Sequence, residues 1–539
     1  MTESKEESVK TPPPLELRFR IDNPDRVLYY SSLILLVFIL IRNLWVSDDA
    51  FITLRTVDNF LHGYGLVWNI GERVQVFTHP LWMFLLVIFA FLIPSPLYVF
   101  YVPSLLLSIW LIVLLIRNFA GSTTRMILAV ILFGGSMSFI DYSSSGLENP
   151  LTHFLLALFL IQYFKDEPDS RMRLFKLSLL AGLAALNRLD TVVFYLPALF
   201  EQFMRQKDRK WQAVLVLAAG FLPILVWEFF ALYYYGFPFP NTYYVKAATG
   251  LPTSLLFKQG AVYIQNSFHW DPLTLGAVWV GMLSVFWQRE TRRISIALGG
   301  LLYLFYVLWI GGDFMSGRFF SGVFLIGWVL LMTFDAEKAF GSMPRQAVNL
   351  MLALLAIIGL SADRPPLLMY ASQPGMSDDQ FGVANEKYYY FGGNGWLNYI
   401  KHGSLHELAY QGMMVGQAKE TPVEMNTIGM YGYYAGPDIY IIDSYALSDP
   451  LRAHIPVNVG MSRVGHYDRG FPPGYLETIQ SDFKENLIQD SNLRLYFDKL
   501  SILTRADLNA PGRLLEIVRF NTGYYDVLME KYWQTVLIP

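Results

Sequence analysis

Long apolar segments follow one another through the first two thirds of this chain, and they constrain its fold more than any other feature. A helix that crosses a bilayer needs about 20 apolar residues, within a range of about 17–25. Because 54% of the 539 residues are hydrophobic and only 16% are charged, these segments predict a polytopic α-helical membrane protein. We predict about eleven spans, at 27–46, 97–117, 126–141, 150–164, 174–187, 191–206, 211–233, 272–288, 293–311, 319–334 and 345–361.

The apolar stretch 80–94 decides the predicted topology. It is shorter than a normal span and is followed by Ser95 and Pro96, so we interpret it as a re-entrant or interfacial helix. The alternative counts it as a twelfth span and reverses everything downstream. Cytoplasmic loops are enriched in Lys and Arg, which are concentrated here in the loops 117–125, 165–176, 205–210, 288–293 and 335–345. Leaving 80–94 out of the count places all of these loops in the cytoplasm.

The same rule divides the chain into regions. Residues 1–26 form a polar, basic tail that we expect in the cytoplasm, and residues 27–361 form the membrane domain, with a first external loop at 47–96. Residues 362–539 contain no further spanning run, and short alternating segments such as 438–443 predict a separate, extracytoplasmic domain of mixed α/β structure.

Composition excludes several kinds of chemistry. The net charge of −3 gives no indication of nucleic-acid binding. The chain has no cysteine, which excludes disulfides, thiolate metal sites and cysteine nucleophiles.

Nearly every unusual polar cluster falls in the predicted external loops. These clusters occupy 48–55, 77–80, 145–148, 187–190, 240–246 and 311–318. A transporter would instead carry ionisable groups near the middle of broken spans, and the spans of this chain are nearly free of charge. Chemistry at the external face of the membrane is therefore favoured over transport through it.

Asp48 and Asp49 form the most informative of these clusters. Carboxylates are costly near hydrocarbon and usually have a task there. Ser47 or Asp48 can cap the following helix, and Arg55, seven residues after Asp48, would then share a helix face with it. One interpretation is a capped interfacial helix with Arg55 anchored at the membrane edge. The other is a carboxylate that accepts a proton from a hydroxyl or, as a pair, holds a divalent cation such as Mg²⁺ or Mn²⁺.

The remaining clusters contain both acidic and basic side chains. An arginine in a glycine-rich turn is a good fork for phosphate, and Arg318 lies in such a turn. The other candidates each have a structural alternative as well, either a helix-end carboxylate, a local ion pair or a membrane-edge anchor. They are Glu148, Arg188, Asp190, Lys246, His79 and Asp313.

Several of these motifs resemble those of a known family. The ordered segments 48–55, 62–69, 71–74, 78–82, 145–148, 240–246 and 311–319, together with 443–450 and 463–466 in the last part of the chain, are similar to the AftB-type arabinofuranosyltransferases. His79, Gly317 and the pair Ser444-Tyr445 depart from the usual pattern. The resemblance implies a membrane glycosyltransferase of the GT-C fold in a bacterial inner membrane, with a polyprenyl-phosphate-linked sugar as donor and a glycan or glycoprotein as acceptor.

The resemblance also implies roles for residues. Asp48 or Asp49 would take the proton of the acceptor hydroxyl, cationic side chains (Arg55, Arg188, Lys246 or Arg318) would stabilise the departing phosphate, and the external domain would hold the acceptor. Within that domain the matching positions are Asp443, Asp449, Arg463 and His466. The family implies net retention of a β linkage, for which one base alone does not account, so an acid such as Glu148 or Asp313 stays an alternative.

Two further functions remain open at this point. A ZomB-like branch of the wider family suggests a non-enzymatic scaffold associated with the cell envelope or the flagellar motor. A transporter of lipid or sugar is the third hypothesis, and the scarcity of charge in the spans weighs against it.

Overall fold

The structure is a computed structural model that describes residues 23–206, 210–246, 251–362, 365–368, 382–457 and 465–537. Residues 1–22 of the predicted cytoplasmic tail 1–26, and Arg463, lie outside the described residues. The membrane domain consists of α1 (Asn23–Arg42), α2 (Asp48–Leu61), α3 (Pro80–Leu92), α4 (Pro96–Phe119), α5 (Thr123–Gly135), α6 (Met137–Asp141), α7 (Asn149–Phe164), α8 (Arg171–Asn187), α9 (Leu196–Arg205), α10 (Lys210–Gly220), α11 (Leu222–Tyr234), α12 (Asn241–Lys246), α13 (Thr253–Trp270), α14 (Pro272–Leu283), α15 (Thr291–Trp309), α16 (Phe320–Met332), α17 (Ala336–Phe340) and α18 (Arg345–Leu360). Short 3₁₀ helices occupy Leu189–Phe194 and Ser284–Phe286.

A helix lies in each predicted span, but several are shorter than predicted. Within the described ranges, α4 and α15 are long and apolar enough to cross a membrane singly, and α10 with α11, bent by 57°, adds a third span if the pair is counted as one. The predicted span 126–141 is interrupted at Ser136, whose hydroxyl accepts from the backbone NH of Phe139 and caps α6. An apolar helical protein is therefore found, whereas the number of spans and their direction stay predictions.

The last part of the chain is mainly helical. It contains α19 (Glu386–Asn394), α20 (Trp396–His402), α21 (Glu407–Ala418), α22 (Ile428–Ala435), α23 (Tyr475–Gln480), α24 (Ser491–Thr504), α25 (Arg513–Asn521) and α26 (Asp526–Leu537). The strands β1 (Val423–Met425) and β2 (Ile441–Asp443) pair in parallel, with Val423 opposite Ile441. All three residues of β2 are buried, so the alternation expected over 438–443 does not continue through the strand.

This part packs on the first loop of the membrane domain through α22. Ile428 and Met430 share one hydrophobic core with Phe51 and Trp68. The backbone of Gly429 lies so close to α2 that a Cβ there would be 1.9 Å from the carbonyl oxygen of Asp48, and glycine alone permits this approach. A second core lies farther along, around Leu451, Tyr475, Leu500 and Tyr525.

Candidate active site

Four charged or polar side chains meet where helices begin or end. His79 precedes α3, Glu148 precedes α7, Arg188 follows α8 and Arg318 lies just before α16. Proline in the first turn of α3 and α7 fixes where those helices start. The chain therefore brings distant motifs together because its helices end at the same level.

Glu148 is the centre of this group, and its side chain is fully buried. Its carboxylate accepts hydrogen bonds from Arg188 at 2.5 Å and from Arg318 at 3.1 and 3.3 Å, and Nδ1 of His79 lies 3.3 Å away. Burial alone would raise the pKa of Glu148, but the charges of Arg318 and Arg188, with His79, outweigh it and hold the pKa below its usual range. Glu148 is therefore a carboxylate that positions two guanidinium groups. The alternative in which it acts as a general acid does not fit, because such an acid needs its proton.

Each arginine has a second acidic partner. Arg188 Nε donates to Asp190 at 2.8 and 3.1 Å, and Arg318 Nη1 lies 3.4 Å from Asp313. The guanidinium of Arg188 also lies 4.7 Å from the ring centre of Phe319. These contacts hold both guanidinium groups in place.

His79 joins the cluster as a neutral group. Burial lowers its pKa to about 4, and the charges of Arg318 and Arg188 act in the same direction, against the carboxylate of Glu148. Its Nε2 lies 2.8 Å from the hydroxyl of Thr53 on α2. His79 thus connects the cluster to the helix that carries the acidic pair.

Asp49 and Lys246 are charged groups that lie near this cluster without a hydrogen-bond or ion-pair partner among the described residues. Within the described part of the chain, neither side chain makes a hydrogen bond or ion pair, and both are partly exposed. Burial raises the pKa of Asp49, the charges of Lys246 and Arg318 lower it, and those of Asp313 and Glu148 raise it. The ammonium of Lys246 lies 5.4 Å from the ring centre of Phe314. A carboxylate and an ammonium without partners can both act on a ligand.

Asp48 has a different environment from its neighbour. Its two carboxylate oxygens accept the backbone NH groups of Gly429 and Met430, at 2.9 and 2.8 Å, at the start of α22. Ser47 is in the cap position but makes no capping hydrogen bond. Geometry thus separates the two acids: Asp48 attaches α2 to α22, whereas Asp49 makes no hydrogen bond or ion pair among the described residues, and which of the two acts stays a prediction.

Arg55 requires a correction. The predicted face shared with Asp48 is confirmed, since both side chains reach α22, but the guanidinium donates to the carbonyls of Trp68, Gly432 and Ile439 and is 2% exposed. Burial lowers its pKa to about 9. Arg55 therefore binds backbone rather than a donor phosphate.

The residues predicted to bind the acceptor also fall into two groups, one that stabilises the fold and one that lies near the candidate site. Asp443 accepts the NH groups of Tyr445 and Ser448, and Asp449 accepts those of Leu451 and Arg452. Both carboxylates stabilise turns, so we correct their assignment to the acceptor. His466, in contrast, lies edge-on to Phe314, with ring centres 4.3 Å apart, and Phe314 is the ring that lies beside the ammonium of Lys246.

A divalent cation held by the acidic pair does not fit this geometry, because both oxygens of Asp48 are directed at amides of another helix. No group of three His, Asp or Glu side chains suited to a metal occurs among the described residues.

Sequence reasoning missed α13, which it placed in a long loop. The hydroxyl of Tyr263 on this helix donates to the carbonyl of Met315 and accepts the NH of Phe319, which fixes the loop carrying Asp313 and Arg318. A signal was present: Gly260, Tyr263, Ser267 and Trp270 are buried at helical spacing.

The fold and site thus define a helical membrane-type protein with an anion-compatible charged cluster. No family model matches the chain. It is 28% identical to the terminal β-(1→2)-arabinofuranosyltransferase of Mycobacterium tuberculosis, over 79% of this chain and 81% of that protein. It is 26% identical to the protein of the same name from Corynebacterium glutamicum, over 51% of this chain and 46% of that protein. A crystal structure of ArnT from Cupriavidus metallidurans bound to undecaprenyl phosphate aligns over 80% of this chain and 89% of that chain, with 14% identity and a TM-score of 0.44.

The chain is related to the arabinofuranosyltransferases, and the resemblance predicted from its motifs is confirmed. It is an enzyme of the glycosyltransferase class. The scaffold alternative is not favoured.

Proposed function

We propose that this protein transfers an arabinofuranosyl group from polyprenyl phosphate to an extracytoplasmic glycan or glycoprotein, and that Asp49 acts on the acceptor hydroxyl. The observation that carries the proposal is the pairing of a free carboxylate, Asp49, with a fixed group of cations. The similarity of the chain to two terminal β-(1→2)-arabinofuranosyltransferases supports the choice of sugar.

The donor phosphate would bind beside Arg318, Arg188 and Lys246. When the bond between the sugar and the phosphate breaks, negative charge moves onto the leaving lipid phosphate. Cations fixed before the reaction stabilise that charge without reorganisation. Lys246 is the best placed to contact the phosphate directly, because the two arginines already bind carboxylates.

Asp49 would accept the proton of the attacking hydroxyl. Burial favours its neutral form, and the nearby ammonium of Lys246 favours the carboxylate. When Lys246 binds the phosphate, its ammonium offsets less of the charge on Asp49, and this favours uptake of the proton by Asp49. His466 and Phe314 line the side toward the last part of the chain, where the acceptor sugar would enter.

The test uses full-length protein in lipid vesicles with polyprenyl-phosphoryl arabinose and an arabinan oligosaccharide, with and without EDTA. A gain of one pentose in the glycan supports the proposal, and the EDTA arm tests for a metal. If the vesicles bind the donor lipid but no pentose is transferred from it to this or any other glycan acceptor, the proposal is wrong.

A further inference from the structure

The helix α25 exposes an apolar face to its surroundings. Leu514 is 64%, Leu515 52% and Val518 57% exposed. The opposite face, with Arg513, Glu516 and Ile517, is buried in the protein. Three large aliphatic side chains exposed on one face of a short helix indicate contact with an apolar partner.

Both ends of α25 are attached to the end of α11. Arg513, its first residue, donates to the carbonyls of Tyr233 and Tyr234 at 2.7 and 2.9 Å. Asn521, its last residue, donates to the carbonyl of Gly236 at 2.8 Å. These carbonyls lie in and just after the last turn of α11, where backbone acceptors lack helical partners.

The helix α11 indicates where this attachment lies relative to the membrane. With α10 it is apolar and long enough to form one bent span. Its exposed side chains are the kind that face lipid, and they continue up to the point where α25 is attached: Leu222, Leu225, Val226, Phe229 and Tyr233. The exposed face of α25 is therefore continuous with a lipid-facing surface.

We propose that α25 lies flat in the membrane interface and anchors the last part of the chain to the lipid bilayer through Leu514, Leu515 and Val518. Because both of its ends are tied to the end of one span, α25 runs along the surface instead of away from it. Amphipathic helices of this kind bury their apolar face at the boundary between headgroups and acyl chains. This anchor is independent of the proposed chemistry and would keep the last part of the chain close to the active site.

The absence of native cysteine allows a direct test on the full-length protein in vesicles. Val518→Cys carries a nitroxide label, and collisions with oxygen, which partitions into lipid, are compared with those of a water-soluble nickel chelate. The matched control is Glu420→Cys, an exposed polar position beyond α21. We expect oxygen collisions to dominate at 518 and nickel collisions to dominate at 420.

A second variant tests the same face. In a chain labelled at Leu515→Cys, adding Leu514→Glu and Val518→Glu is expected to shift the label from oxygen-dominated to nickel-dominated collisions. Nickel-dominated collisions at 518 in the parent would overturn the proposal. So would an immobile label at 518 that meets neither reagent, since that result would place a second protein surface there.

Discussion

Glu148 and Glu72 are two of the buried glutamates that bind arginine among the described residues, and of these two only Glu148 lies in the candidate active site. Glu148 holds Arg188 and Arg318, next to Asp49 and Lys246. Glu72 accepts from Arg505 at 2.8 Å and from the hydroxyl of Tyr440 at 3.0 Å.

The difference is in what surrounds each pair. The guanidinium of Arg505 stacks on Phe483, and the contact joins the first loop to α24 and β2, so it closes an interface. The arginines around Glu148 instead lie near Asp49 and Lys246, whose charges have no hydrogen-bond or ion-pair partner among the described residues. Buried ion pairs therefore do not by themselves mark function. We propose that free charges beside a fixed pair are the stronger indication of function.

The largest expected effect comes from Asp49→Asn. Removing a group that takes the acceptor proton should lower the transfer rate by about 10²–10⁴-fold. The side chain makes no contact that supports the fold among the described residues, so thermal stability should stay unchanged. Rates in vesicles and melting curves measure both. A variant with the parent rate would remove Asp49 from the mechanism.

The difference between the two glutamates is tested directly by exchanging each of them for glutamine. Glu148→Gln leaves two buried guanidinium groups without their shared carboxylate, so we expect a rate loss of about 10²–10³-fold and destabilisation of about 3–5 kcal/mol.

Glu72→Gln is the matched control for that variant. It should destabilise by about 1–3 kcal/mol, since Tyr440 and Arg505 lose a charged acceptor, while kcat of the folded protein is kept. Unfolding and transfer are measured on the same vesicle preparations. Equal losses of kcat in both variants would contradict the distinction between the two sites.

Sequence reasoning located the cluster but not the roles within it. His79, Glu148, Arg188 and Arg318 were predictable, because polar residues at helix ends on one side of a membrane protein must share a surface. The split between Asp48 and Asp49 was not, since it depends on amides 381 and 382 positions away. The 18-residue helix α13 could have been predicted, because Gly260, Tyr263, Ser267 and Trp270 recur at helical spacing.

Asp48→Asn should have a smaller effect, on stability. Two backbone NH groups now donate to its carboxylate, and an amide offers one acceptor oxygen and places an NH₂ group against the other donor. We expect a loss of about 1–3 kcal/mol, with kcat of the folded protein retained. Chemical unfolding beside transfer assays separates the two quantities. A variant that stays as stable as the parent but loses transfer would move the catalytic role to Asp48.

An effect of similar size is expected in the pH dependence of stability at the same residue. Burial raises the pKa of Asp48 to about 7; the NH groups of Met430 and Gly429 oppose this rise and the charge of Asp49 adds to it. The unfolded chain titrates near about 3.9. Because the folded state binds this proton more tightly, Asp48 contributes stability that is complete below about pH 3.9 and is lost as pH rises through about 7. Between about pH 5 and about pH 7.5, melting temperatures of the parent should therefore fall relative to those of Asp48→Asn. A constant difference over that range would mean that the two amides keep Asp48 ionised throughout, and the attachment of α2 to α22 would then be a charged one.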